Sequence, residues 1–124
     1  MNKLRVKNFG SIRTGLNENN GWIDVKKVTV FLGDQGTGKS TVAKLITTFT
    51  WLEKVLMRGD ITENELSIPN ALKNHLEYHR ISNYFTDTSY LEYQGNYYHI
   101  QYENNVCTVK CLQNNNYHLP QGLL

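Results

Sequence analysis

The chain has 124 residues, 13 Lys and Arg against 11 Asp and Glu, a formal net charge of +2, and 19% charged residues. That balance excludes a polyelectrolyte tail and a strongly basic DNA-coating protein. A hydrophobic fraction of 40%, with eight Tyr and two Trp, argues instead for one globular domain that buries a core.

The longest apolar runs, such as residues 28–32, fall far short of the ~20 residues of a bilayer span, so no membrane contact is expected. Met1-Asn2-Lys3-Leu4-Arg5 lacks the apolar stretch of a signal peptide, and two Cys provide no disulfide framework. A cytoplasmic address is the expectation. The charge is split along the chain: residues 1–58 carry +6 and residues 59–124 carry −4, so the first half is the anion-seeking half. Short Asn clusters, including Asn104-Asn105, read as turns because Asn tolerates left-handed backbone.

In chain order, Lys3-Leu4-Arg5-Val6-Lys7 alternates at period two and predicts a half-exposed strand. Trp22-Ile23-Asp24-Val25 predicts a short second strand. Val28-Thr29-Val30-Phe31-Leu32 is a continuous β-branched and aromatic run, the pattern of a strand buried on both faces. A Gly-rich loop follows, and then Val42, Leu45, Ile46, Phe49, Leu52, Val55 and Leu56 recur at helical spacing up to Arg58, with Gly59 as terminator. Pro69 suits a helix first turn, with Leu72, Leu76, Ile81 and Phe85 as its buried stripe. From Tyr90 onward, Tyr, Val and Ile broken by Gln94-Gly95-Asn96 and Glu103-Asn104-Asn105 predict a three-strand meander at about 89–93, 97–102 and 106–112.

One motif carries chemistry. Gly33-Asp34-Gln35-Gly36-Thr37-Gly38-Lys39-Ser40 matches G-x-x-x-x-G-K-[S/T] at every fixed position, between a buried-strand pattern and an amphipathic helix. The glycines let successive backbone N–H groups turn toward phosphate oxygens. The helix start adds free N–H groups and its positive dipole end. Lys39 is expected on the β- and γ-phosphates and Ser40 Oγ on Mg²⁺, so ATP and Mg²⁺ are the expected ligands.

Leu4-Arg5-Val6-Lys7-Asn8-Phe9-Gly10-Ser11-Ile12 together with the run from Val28 to Thr41 resembles the opening of ABC-type AAA-family ATPases, the RecF-like and structural-maintenance-of-chromosomes-like proteins. The resemblance covers about a third of the chain. It implies an α/β fold in which antiparallel strands flank an incomplete P-loop NTPase core of strand, Walker A loop and helix. It also implies Thr41 beside the α-phosphate and the first strand near the base. Two departures from the pattern occur: Asp34-Gln35 replaces the common Glu-Asn pair, and Gly10 stands where many relatives carry a basic residue. Such ATPases also need an apolar strand ending in Asp-Glu and a Ser-Gly-Gly signature, and neither occurs in this sequence. The resulting reading is a single N-terminal nucleotide-binding fragment spanning 1–124. It divides into a P-loop unit at 1–58, a helical segment at 59–88 and a β-meander at 89–112, and it binds ATP without efficient hydrolysis alone. A small-molecule or nucleotide kinase and an ATP-switched DNA- or protein-binding module are the alternatives. A homodimer, and DNA in the parent protein, are further expected partners.

Other constellations read as structural. His75 and His79 are four apart on an expected helix and could face one metal, but a solvated face is preferred. Cys107 and Cys111 share a strand face and read as small hydrophobes. The tyrosines at 90, 93, 97, 98 and 102 read as sheet packing, with base stacking as the rival. Lys3, Arg5 and Lys7 share one strand face that could contact DNA, nucleotide or solvent.

Overall fold

The computed structural model describes residues 2–10, 12, 21–25 and 37–112. The expected strand at 28–32 and the loop residues 33–36 lie outside them. Alternation at Lys3–Lys7 produces β1: Leu4 and Val6 are buried and Lys7 is exposed. Its first half pairs with β2 (Ile23–Asp24), Leu4 opposite Ile23. Its whole length pairs on the other side with β3 (Tyr90–Gln94), from Lys3 opposite Gln94 to Lys7 opposite Tyr90. Next come β4 (Tyr98–Glu103) and β5 (Val106–Cys111), giving the order β2-β1-β3-β4-β5. All these pairings are antiparallel. The chain is thus a mixed fold of helices on an antiparallel sheet, and the expected meander falls within about a residue of the observed one.

The two-residue link from β4 to β5 is Asn104-Asn105, with φ of 54° and 64°. Two left-handed central residues make a type I′ turn, whose twist matches that of the strands it joins.

The long apolar repeat forms α1 (Thr37–Arg58, 22 residues). Its stripe of Leu45, Phe49, Leu52 and Leu56 is buried in one core with Leu4, Leu91, Tyr93 and Ile100 of the sheet. Each such side chain contributes about 1.5–3 kcal/mol relative to exposure. Phe49 stacks on Tyr93, rings 5.4 Å apart and nearly parallel at 4°. At the end of α1, Gly59 adopts φ +80°. There the Gly59 N–H donates to Leu56 O at 3.2 Å and the Asp60 N–H to Val55 O at 2.9 Å. That double closure satisfies two of the helix's last carbonyls and needs the left-handed residue.

The segment at 59–88 departs from the single helix expected around Pro69. Thr62 Oγ1 accepts from the Glu65 N–H at 3.1 Å, and Glu65 Oε1 accepts from the Thr62 N–H at 3.0 Å. This capping box starts the short α2 (Glu63–Ser67). Asn70, left-handed at φ 70°, precedes α3 (Ala71–Glu77), which buries Leu72 and Leu76. Arg80 at φ 60° keeps the chain from continuing as a helix, so Ile81 is buried from a turn. A 3-10 turn (Ser82–Tyr84) follows, and Phe85 packs edge-on against Phe9 at 5.0 Å.

The helix and the hairpin are locked together by one buried acid. Glu53 lies within the apolar stripe of α1 and is 6% exposed. Its Oε2 accepts the backbone N–H groups of Tyr97 at 2.9 Å and Tyr98 at 3.0 Å, and Oε1 accepts the Tyr93 hydroxyl at 3.2 Å. The Tyr93 oxygen in turn accepts from Asn2 Nδ2 at 2.9 Å. Burial, reinforced by the neighbouring Glu53 charge, raises the Tyr93 pKa, which keeps the hydroxyl a donor. The turn packs so closely that a Cβ on Gly95 would collide with both carboxylate oxygens.

Glu53→Ala therefore destabilises the fold by about 2–3 kcal/mol, the cost of unpairing buried donors from a charged acceptor. Gly95→Ala destabilises it too, but costs far less in the Glu53→Ala background, because the obstacle is gone. Urea denaturation of the four-member cycle checks this, and additive losses would contradict it.

Candidate functional site

The glycine-rich motif meets the described structure at the first turn of α1. Gly33, Asp34, Gln35 and Gly36 lie outside the described residues, and Thr37, Gly38 and Lys39 are described as helical backbone. Ser40 is exposed, and Thr41 is 4% exposed beside the buried Val42. The first four N–H groups of any α-helix lack an intrahelical acceptor. No acidic residue occupies this first turn, and Arg58 occupies the last. Within the helix itself, no acid offsets the positive dipole end of α1, and Arg58 complements the negative end.

The Ser40 hydroxyl, the one donor expected to reach Mg²⁺, is exposed, and a hard oxygen suits that ion. Among the described residues, no three His, Cys, Asp or Glu side chains converge as a metal site. His75 ends up near the close of α3, and His79 sits beyond it in a turn, so the two do not share a helix. Cys107 is buried, and burial pushes its thiol up to about 11, while Cys111 on the same strand face is exposed. Only Cys107 behaves as the expected small hydrophobe.

The face of the sheet away from α1 holds a second constellation. Lys3, Arg5 and Lys7 project there together, as their alternation predicts. Trp22, beside β2, lies under Lys3 Nζ at 4.6 Å and Arg5 Cζ at 4.3 Å from its ring centre. Tyr90 receives Arg5 at 5.8 Å and Lys7 at 5.9 Å. Cations and rings therefore alternate along the face as Lys3, Trp22, Arg5, Tyr90, Lys7.

Register places Glu92 opposite both Arg5 and Gln101. Glu92 accepts from Arg5 Nε at 3.1 Å and Nη2 at 2.6 Å, and it pairs with His99 Nε2 at 2.6 Å. The Tyr90 hydroxyl also donates to it, and accepts from Gln101 Nε2 at 3.2 Å. Burial raises the Glu92 pKa, but the hydrogen bonds from Tyr90, His99 and Arg5 and the Arg5 charge outweigh it, so the carboxyl titrates below its ordinary value. Neither Glu53 nor Glu92 stands out in the sequence as a site residue. Helical spacing from Phe49 to Glu53 to Leu56 is the signal from which the place of Glu53 in the buried stripe could have been read. Glu92 needed the strand register, which is a long-range property.

No family model, curated protein or solved structure matches the chain. No helix among the described residues is long and apolar enough to cross a membrane.

Because the Glu92 pKa is depressed by folding, its contribution is complete above the unfolded carboxylate value and is lost as pH falls through the folded one. Glu92→Gln should cost about 1.5–3 kcal/mol at neutral pH, the worth of hydrogen bonds to a charged group. That gap narrows as acid protonates the wild-type carboxyl. Urea midpoints for both proteins from pH 7 to pH 3 check this, and a gap independent of pH would contradict it.

Proposed function

We propose that residues 33–41 bind the phosphates of ATP with Mg²⁺, and that the chain is the nucleotide-binding part of an ABC-type ATPase of the RecF-like branch. The observation that carries the reading is the complete Walker A spacing running into the first turn of a 22-residue helix that has no acid there. In this reading Gly33, Asp34, Gln35, Gly36, Thr37 and Gly38 offer backbone N–H groups to phosphate oxygens. Lys39 supplies a mobile cation at the β- and γ-phosphates, and Thr41 stands beside the α-phosphate.

Ser40 Oγ, an exposed hard oxygen, would hold the ion. Bound Mg²⁺ would neutralise charge on the β- and γ-phosphates. The chain's own contribution is to bind and orient. The sequence holds neither an apolar strand ending in Asp-Glu nor a Ser-Gly-Gly segment, so the reading includes binding without efficient turnover.

Titration calorimetry with Mg-ATP tests it. Lys39→Ala should bind ten- to a hundredfold more weakly, the equivalent of about 1.5–3 kcal/mol for one charge-assisted contact. Equal affinities, or no binding by the folded wild type, would overturn the nucleotide reading. A phosphate-release rate of about one per second that depends on Lys39 would overturn the absence of turnover alone.

A further inference from the structure

A groove of about 550 Å³ runs between α1 and α3. Thr47, Thr48 and Trp51 form one wall, and Asn74, His75 and Tyr78 form the other. Two large aromatic side chains stand open here, Trp51 at 47% and Tyr78 at 86% exposure. The Trp51 ring lies 5.6 Å from that of His75. Burial lowers the His75 pKa, so at neutral pH this ring adds apolar area rather than charge. Exposed aromatics gathered in a concave site are the usual anchors of protein recognition.

Charge says what kind of segment fits. On α1, Lys44 stands one turn before Thr47 and Thr48, and Lys54 one turn after Trp51, so cations flank the wall at both ends. Glu53 is the single acid of α1, and it is turned into the β3–β4 hairpin. Arg58, further along the same stripe, is already paired with Asp60 at 3.0 Å. On α3, Lys73 and Glu77 line other clefts. Among the described residues, the groove therefore has an aromatic floor and basic ends with no acid of its own.

We propose that this groove docks an acidic amphipathic segment of a partner protein, with one large apolar side chain seated between Trp51 and Tyr78 and carboxylates against Lys44 and Lys54. The floor supplies affinity through apolar burial, and the flanking lysines select for acid and speed encounter. The proposal is independent of nucleotide binding at residues 33–41.

Selection from a displayed random-peptide library on the folded wild type, followed by titration of the enriched peptides, tests it. Enriched peptides should carry net negative charge around a Phe, Trp or Leu. Their affinity should fall at least tenfold in Trp51→Ser and at least threefold when salt is raised. Lys54 is exposed and Lys44 half-buried, so Lys44→Glu/Lys54→Glu, with its fold checked by circular dichroism, and Lys54→Glu alone should shift the selected peptides toward positive charge. Enrichment of neutral or basic peptides on the wild type, equal binding to all variants, or no enrichment would overturn it. Concentration-dependent self-association that buries Trp51 without any peptide would also overturn it, by making a second copy the occupant.

Discussion

The Glu53 carboxylate is the constraint on which the rest of the arrangement depends. A charged group at 6% exposure is tolerated only where several donors replace its lost water. Here the donors are two consecutive backbone N–H groups and a tyrosine hydroxyl, all from the β3–β4 hairpin. Apolar burial alone would let α1 slide or rotate on the sheet, since it has no direction. The acid removes that freedom, because only one placement of the helix satisfies all three donors. Gly95 belongs to the same device: its missing Cβ is the space the carboxylate occupies.

This lock has a consequence for the Gly-rich segment. The motif's last residues are the first turn of α1, so whatever fixes α1 on the sheet also fixes where that helix start points. The sheet itself is steadied from its other side. Arg5 of β1, Tyr90 and Glu92 of β3, and His99 and Gln101 of β4 form one polar network across three neighbouring strands. The inner face is thus held by apolar packing and the outer face by charge-assisted bonds, with Trp22 stacked on two of the cations. A β1 strand gripped on both faces and along both edges is a stiff base for the helix above it.

Much of this was legible in the sequence, and the reasons are local. Period-two alternation at Lys3–Lys7, the 3.6-residue repeat ending at Arg58 and Gly59, and the Asn104-Asn105 turn each express one backbone preference within a few residues. The capping box at Thr62 and Glu65 was equally local, but the helix it starts spans five residues, too short to show a period. The buried stripe of Leu72, Leu76 and Ile81 was visible while the break at Arg80 was not, because a left-handed Arg has no sequence signature. What the sequence hid was long-range: β1 between β2 and β3, Glu92 opposite Arg5, and Glu53 against a turn more than 40 residues away. The motif at residues 33–40 is legible as a pattern, and its chemistry is a matter for ligand binding.

Native-state hydrogen exchange at the backbone amides of Tyr97 and Tyr98 reads the central interaction directly. The Tyr97 amide belongs to the β3–β4 turn and the Tyr98 amide to the first residue of β4, a hairpin end where exchange ordinarily needs only local opening. If the Glu53 carboxylate holds them, they exchange only when α1 leaves the sheet, with protection close to that of core amides such as those of Leu91 and Ile100. Exchange of both at the rate of an open turn, with the core amides still protected, would contradict the account.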